Sequence, residues 1–134
     1  MPHCLHIAKN FEKQLERLRK KGKKGILAAD LCEHISDLLK QGDIQDDSLL
    51  CKRTKNGEAR IEGGVKYDLG NGFRMVTVKH GEHIYITFAG THDQTDKWIE
   101  SHRYDRYRED DPAYIVCESS CPGKNNESQE SMFE

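Results

Sequence analysis

Four residues in one stretch of this chain carry side chains that together can act on a phosphodiester: Lys66, Arg74, His92 and Trp98. Ammonium and guanidinium groups bind phosphate, an imidazole moves a proton, and an indole offers a flat face to a nucleobase. RNA cleaves itself when its 2′-oxygen attacks the adjacent phosphorus. A protein has only to assist loss of the 2′ proton, steady the pentacoordinate charge and protonate the departing 5′-oxygen. Lys66 suits the first task and Arg74 the second. His92 suits the third, because imidazole ordinarily titrates near neutral pH. Such a reaction calls for no metal and no other cofactor. Each residue also has a structural role open to it. Arg74 can pair with Asp68, His92 can cap a helix beside Thr91 and Asp93, Trp98 shares a packing face with Ile99, and Lys66 can be a solvated strand lysine.

The elements that must position these groups are legible around them. Val65–Leu69, Phe73–His80 and His83–Ala89 are rich in aromatic and β-branched residues and are separated by Gly70-Asn71-Gly72 and Gly81-Glu82. Turns that short force antiparallel pairing, so three strands in a meander are predicted, followed by a helix over 92–103. Upstream, residues 3–8 read as a short strand and Asn10 as a helix cap. Phe11, Leu15 and Leu18 recur with helical spacing over 11–21, and Leu27, Leu31, Ile35, Leu38 and Leu39 mark a second helix over 26–41. The basic run from Arg19 to Gly25, with two glycines, predicts a turn that closes the first helix. The order is β-α-α-β-β-β-α, an α+β fold with an αα-hairpin on a mostly antiparallel twisted sheet and its helices on one face. Residues 43–63 have little periodicity. Lys52, Arg53 and Lys55 form a cationic cluster there, which suits either a solvated loop or an RNA surface.

Length and composition limit the answer. The 134 residues, 33% charged and 35% hydrophobic, make one small domain over 1–103 and a polar tail over 104–134 with a short edge strand at 113–116 and disorder beyond. Neither a membrane span nor a signal peptide is present in the sequence, which predicts a cytoplasmic protein. Residues 1–103 hold 18 lysines and arginines against 15 acidic residues, and residues 104–134 hold 3 against 8. A mildly basic body with an acidic tail fits a polyanionic partner. The five cysteines, at 4, 32, 51, 117 and 121, lack C-x-x-C pairs and read as free thiols, Cys32 in a helix core. Cys117 and Cys121 are spaced for a local bridge or a chelate, although tail thiols are the simpler reading. His80 and His83 have no carboxylate or cysteine partner nearby in sequence, so surface histidines and no metal are expected.

The run Val65-Lys-Tyr-Asp-Leu69, then Gly72-Phe-Arg-Met-Val76, then Phe88-Ala-Gly-Thr-His92 with Trp98, resembles the RelE/ParE toxin superfamily over residues 3–103. Its RelE branch contains ribosome-dependent mRNA interferases of type II toxin–antitoxin systems. The resemblance implies a metal-free endoribonuclease with Lys66, Arg74 and His92 as catalytic residues. Trp98, Lys52, Arg53, Lys55 and Arg103 would contact RNA. The partners it implies are a cognate antitoxin, the ribosome and mRNA, with no membrane. Two positions differ from active members, with Asp68 where a second basic residue is frequent and Trp98 where tyrosine is usual. Those differences keep open a non-catalytic module of the same fold, such as a gyrase-type inhibitor or degenerate toxin, and an RNA- or ribosome-binding protein without turnover.

Overall fold

The computed structural model describes residues 4–41, 60–108 and 110–117. The expected cationic cluster of Lys52, Arg53 and Lys55 and the expected disorder at the end of the tail lie outside these residues, as do Cys51 and Cys121. Strand β1 (Cys4–Ala8) leads into helices α1 (Phe11–Arg19) and α2 (Lys23–Lys40). Strands β2 (Gly64–Gly70), β3 (Phe73–His80) and β4 (His83–Thr91) follow, then helix α3 (His92–His102) and strand β5 (Tyr114–Cys117). The sheet order is β2-β3-β4-β1-β5. The meander is antiparallel as expected, β5 runs antiparallel to β1, and β1 lies parallel to β4. The fold is therefore α+β around a mostly antiparallel five-stranded sheet.

Both faces of the sheet are covered. On one, Phe11, Leu15 and Leu18 of α1 and Ala28, Cys32, Ile35 and Leu39 of α2 pack against Leu5, Tyr67, Met75, Ile84 and Ile86. On the other, Ile99 of α3 packs with Ile61, Val76, Val78 and Tyr85, joined by Trp98 and Tyr107. This corrects the expectation that all helices share one face. The reason is visible in β3, where Met75 and Val76 are adjacent, point to opposite faces and are both fully buried. Apolar residues at both parities of a strand require a layer on each side.

A bulge adjusts that alternation within β4. Val76 pairs with Phe88 while Thr77 pairs with Ile86, leaving Thr87 as the extra residue, whose hydroxyl donates to the Val76 carbonyl at 2.8 Å. A one-residue slip moves every later side chain to the other face, so Phe88 joins the α3 side and Ala89 the αα-hairpin side.

The helical hairpin turns more sharply than its basic run suggests. Lys20, Lys21 and Gly22, the last at φ +84, reverse the chain, and Lys23 and Lys24 already belong to the first turn of α2. Gly25 is thus a helix residue, where a Cβ would meet the Leu18 carbonyl oxygen at 1.9 Å. Asn10 does not cap α1 through its side chain. Its Oδ1 accepts from the Gln14 amide at 3.1 Å, and Gln14 Oε1 in turn accepts the Ala89 N–H at 2.9 Å. The β1–β4 pairing stops at Ile86, so Gln14 supplies the partner that β1 does not reach. Gln14→Leu strands that buried donor, and a loss of about 1–3 kcal/mol in equilibrium denaturation is expected. A variant within about 0.5 kcal/mol of wild type would mean that Ala89 finds another acceptor.

The edge strand expected at 113–116 is Tyr114–Cys117. Tyr107 and Tyr114 set their rings against Tyr85 at 5.1 and 5.3 Å, which holds this strand and the residues just before it against the sheet. Among the described residues no helix is long and apolar enough to cross a membrane. Cys32 is fully buried in the thiol form, and burial pushes its thiol up. Cys4 departs from the free-thiol expectation. It is disulfide-bonded.

Candidate functional site

The α3 side of the sheet carries Lys66 and Asp68 from β2 and Arg74 from β3. Asp68 is directly opposite Arg74, and Lys66 is opposite Val76. Arg74 Nη1 donates to Asp68 Oδ1 and to the Phe73 carbonyl, both at 3.0 Å. Asp68 Oδ1 also accepts the Gly70 N–H at 2.8 Å, which fixes the carboxylate to the turn. The acidic residue where a second base was frequent in the resemblance therefore holds the guanidinium in place.

His92 reaches the same side through β4. Gly90 lies opposite Arg74, and Thr91 then caps α3 in a reciprocal box: its hydroxyl accepts the Gln94 N–H at 3.1 Å while Gln94 Oε1 accepts the Thr91 N–H at 3.0 Å. The His92 N–H donates to the Gly72 carbonyl at 2.7 Å, tying the start of α3 to the β2–β3 turn. Its half-exposed ring turns Nδ1 toward Asp93 Oδ1 at 3.4 Å and Asp96 Oδ2 at 3.7 Å. Thr91, and not His92, is the residue that caps the helix, so the imidazole is not used up by that role.

Asp96 links this group together. It takes a 3.0 Å bond from Arg60, and that bond, with added charge from His92 and Lys66, holds its carboxyl below the usual carboxylate range. Arg60 reaches Glu100 as well, at 3.1 Å, with the same effect there, and Arg103 adds to it. Arg60, Asp96 and Glu100 were not singled out in the sequence. The available signal was the i, i+4 spacing of His92, Asp96 and Glu100 along one helix face. A carboxyl with a lowered folded pKa stabilises at neutral pH, and that contribution is lost as pH falls through the lowered value. Arg60→Gln is expected to move the Asp96 and Glu100 titrations upward in carboxyl NMR. Unchanged titrations would remove Arg60 as the cause.

The remaining expected contacts are separated from this group. Trp98 stacks on His102 at 4.2 Å and on Phe88 at 5.9 Å and is partly buried with the second core cluster. Arg103 follows the last turn of α3, about 16 Å along the axis from His92. It pairs with Glu100 at 3.2 Å and lies over the Tyr104 ring at 5.4 Å. It lines a broad cleft with Lys79, Arg106 and Arg108. The expectation that His83 lacks a cysteine partner is corrected, because Cys4 and His6 of β1 lie against it. Parallel pairing of β1 with β4 brings together residues that are 77 apart in sequence.

Chemically, the α3 side of the sheet offers the cations Lys66, Arg74 and Arg60, the His92 imidazole, and the carboxylates Asp68, paired with Arg74, and Asp96, bonded to Arg60 and under the charge of His92 and Lys66. No protein-family model matches this chain, and no curated protein is significantly similar to it.

Proposed function

We propose that the chain is a RelE-like toxin that cleaves mRNA on the ribosome and is neutralised by a cognate antitoxin. The single observation that carries this reading is the gathering of Lys66, Arg74 and His92 on the sheet side that α3 flanks. The element order from β1 to α3 supports it too. In the reaction, the 2′-oxygen loses its proton to water with Lys66 stabilising the developing negative charge. It then forms a bond to phosphorus, and Arg74 offsets the extra charge of the phosphorane. The bond from phosphorus to the 5′-oxygen breaks as His92 delivers a proton to that oxygen, leaving a 2′,3′-cyclic phosphate and a 5′-hydroxyl.

A second reading is a non-catalytic module of the same fold that acts by protein contact. It is favoured by the Arg74–Asp68 pair and by the packing of Trp98 on Phe88 and His102. Expression in a translating extract separates the two. The first reading expects arrest with cleaved mRNA, lost in the Arg74→Ala, His92→Ala double variant. Cleavage that persists in the double variant removes the site assignment. Arrest with intact mRNA, or no arrest, selects the second reading.

A further inference from the structure

Cys4 and His6 alternate on β1 and so share one side of it, and Cys4 lies opposite His83 of the parallel strand β4. One donor atom from each residue, the Cys4 sulfur and one nitrogen of each imidazole, falls within 4.8 Å of the other two. His6 Nε2 and His83 Nδ1 are 3.0 Å apart. Cys4 and His6 are 5% and 1% exposed, and His6 is stacked on Tyr85 at 4.4 Å, which fixes its ring. His83 is only half-buried and lines a cleft of about 390 Å³ with His80 and Tyr107, so the cluster has a route from solvent.

We propose that, in the reduced protein, the Cys4 thiolate, His6 and His83 bind a zinc ion, with the fourth position open to water or an added ligand from the cleft beside His83. Bond lengths of about 2.0–2.3 Å in a tetrahedral site put ligand atoms roughly 3.3–3.7 Å apart. The two nitrogens need to part by a few tenths of an ångström and the sulfur to close by about one, both within side-chain rotation. One thiolate and two imidazoles favour zinc over the harder magnesium and calcium. The ion would clip β1 to β4, the one parallel pair of strands in the sheet.

Cys4 is disulfide-bonded in this structure, so bridge and metal are alternative states of one sulfur. A dithiol reductant supplies two electrons and two protons, the S–S bond breaks to two thiols, and the dithiol becomes its own cyclic disulfide. Cys4 then releases its proton as the sulfur–metal bond forms. Oxidation of the pair by a disulfide of the glutathione class reverses the sequence and expels the ion.

The test uses the full chain, reduced with a dithiol, desalted and titrated anaerobically with cobalt as the probe. One equivalent is expected to bind with tetrahedral d–d absorption and a thiolate charge-transfer band, and zinc is expected to displace it. Cys4→Ser should lose the charge-transfer band. His83→Gln, at a half-buried strand start, should weaken binding by at least about tenfold with an unchanged circular dichroism spectrum. The oxidised chain should bind none. Absence of stoichiometric uptake by the reduced chain, or uptake unaltered in both variants, overturns the proposal.

Discussion

Gly25→Ala is expected to destabilise the fold by about 2–4 kcal/mol, a large share of what a domain of this size has. In an exposed helix the same change stabilises by about 1 kcal/mol, so the sign itself is the test. A Cβ at Gly25 would stand 1.9 Å from the Leu18 carbonyl oxygen, 2.9 Å from Lys21 Cβ and 3.0 Å from the Leu18 carbonyl carbon. Real carbon and oxygen atoms do not approach so closely, and the main obstacle is backbone that cannot swing away. The Leu18 carbonyl also accepts the Lys21 N–H at 3.0 Å, so moving it undoes the end of α1. Leu18 itself is 1% exposed in the core, which resists the alternative of sliding α1 outward. Gly22→Ala is the control. It has open space around the new methyl, and its cost is backbone strain alone at φ +84, ψ −163, about 1–3 kcal/mol. A thermal midpoint lowered on the order of 10 °C for Gly25→Ala, and by less for Gly22→Ala, is the expected pattern. Gly25→Ala at or above wild-type stability would mean that the two helices do not meet there.

What the sequence discloses and what it hides follow from how far apart the determining residues lie. The meander is legible because its turns are two or three residues long and its strands alternate. The αα-hairpin is legible because Phe11, Leu15 and Leu18 repeat at helical spacing. Local patterns do not say which face a helix covers. Ile99 and Trp98 announce that α3 packs, and only the burial of Val76 and Val78 opposite Met75 reveals that it packs on the far side of the sheet. The bulge at Thr87 is invisible for a related reason, since it is a property of two strands in register. Gln14 reads as one more polar residue of an amphipathic helix, yet it is 4% exposed because the end of β1 leaves Ala89 without a strand partner.

The candidate site divides the same way. Lys66, Arg74 and His92 are the groups whose chemistry is announced by residue type. Asp68 is announced as a partner for Arg74 by the hairpin register. Arg60 and Asp96 are not, because the contact between them joins the stretch before β2 to the middle of α3. The meeting of Cys4 and His6 with His83 is similarly out of reach of any motif, since it depends on a parallel pairing between strands far apart in sequence.

On the proposed function, His92→Ala is expected to slow mRNA cleavage by about 10²–10⁴-fold and Arg74→Ala by about 10²–10³-fold. The Arg74–Asp68 pair does not forbid this. Both side chains have access to water, at 22% and 53% exposure, and an ion pair of that kind contributes roughly 0–1 kcal/mol. A phosphate can therefore replace Asp68 at a cost of less than about tenfold in rate, since 1.4 kcal/mol is a factor of ten. Asp68→Asn is accordingly expected to change cleavage by less than about tenfold while Arg74→Ala changes it far more. Trp98→Ala behaves differently again. Because that ring packs on Phe88 and His102, its loss should appear mainly in thermal stability, with cleavage by the folded fraction little altered. If Arg74→Ala and Asp68→Asn have equal, small effects on cleavage while both lower stability, Arg74 is a strand-pairing residue. The phosphorane would then have no guanidinium to meet.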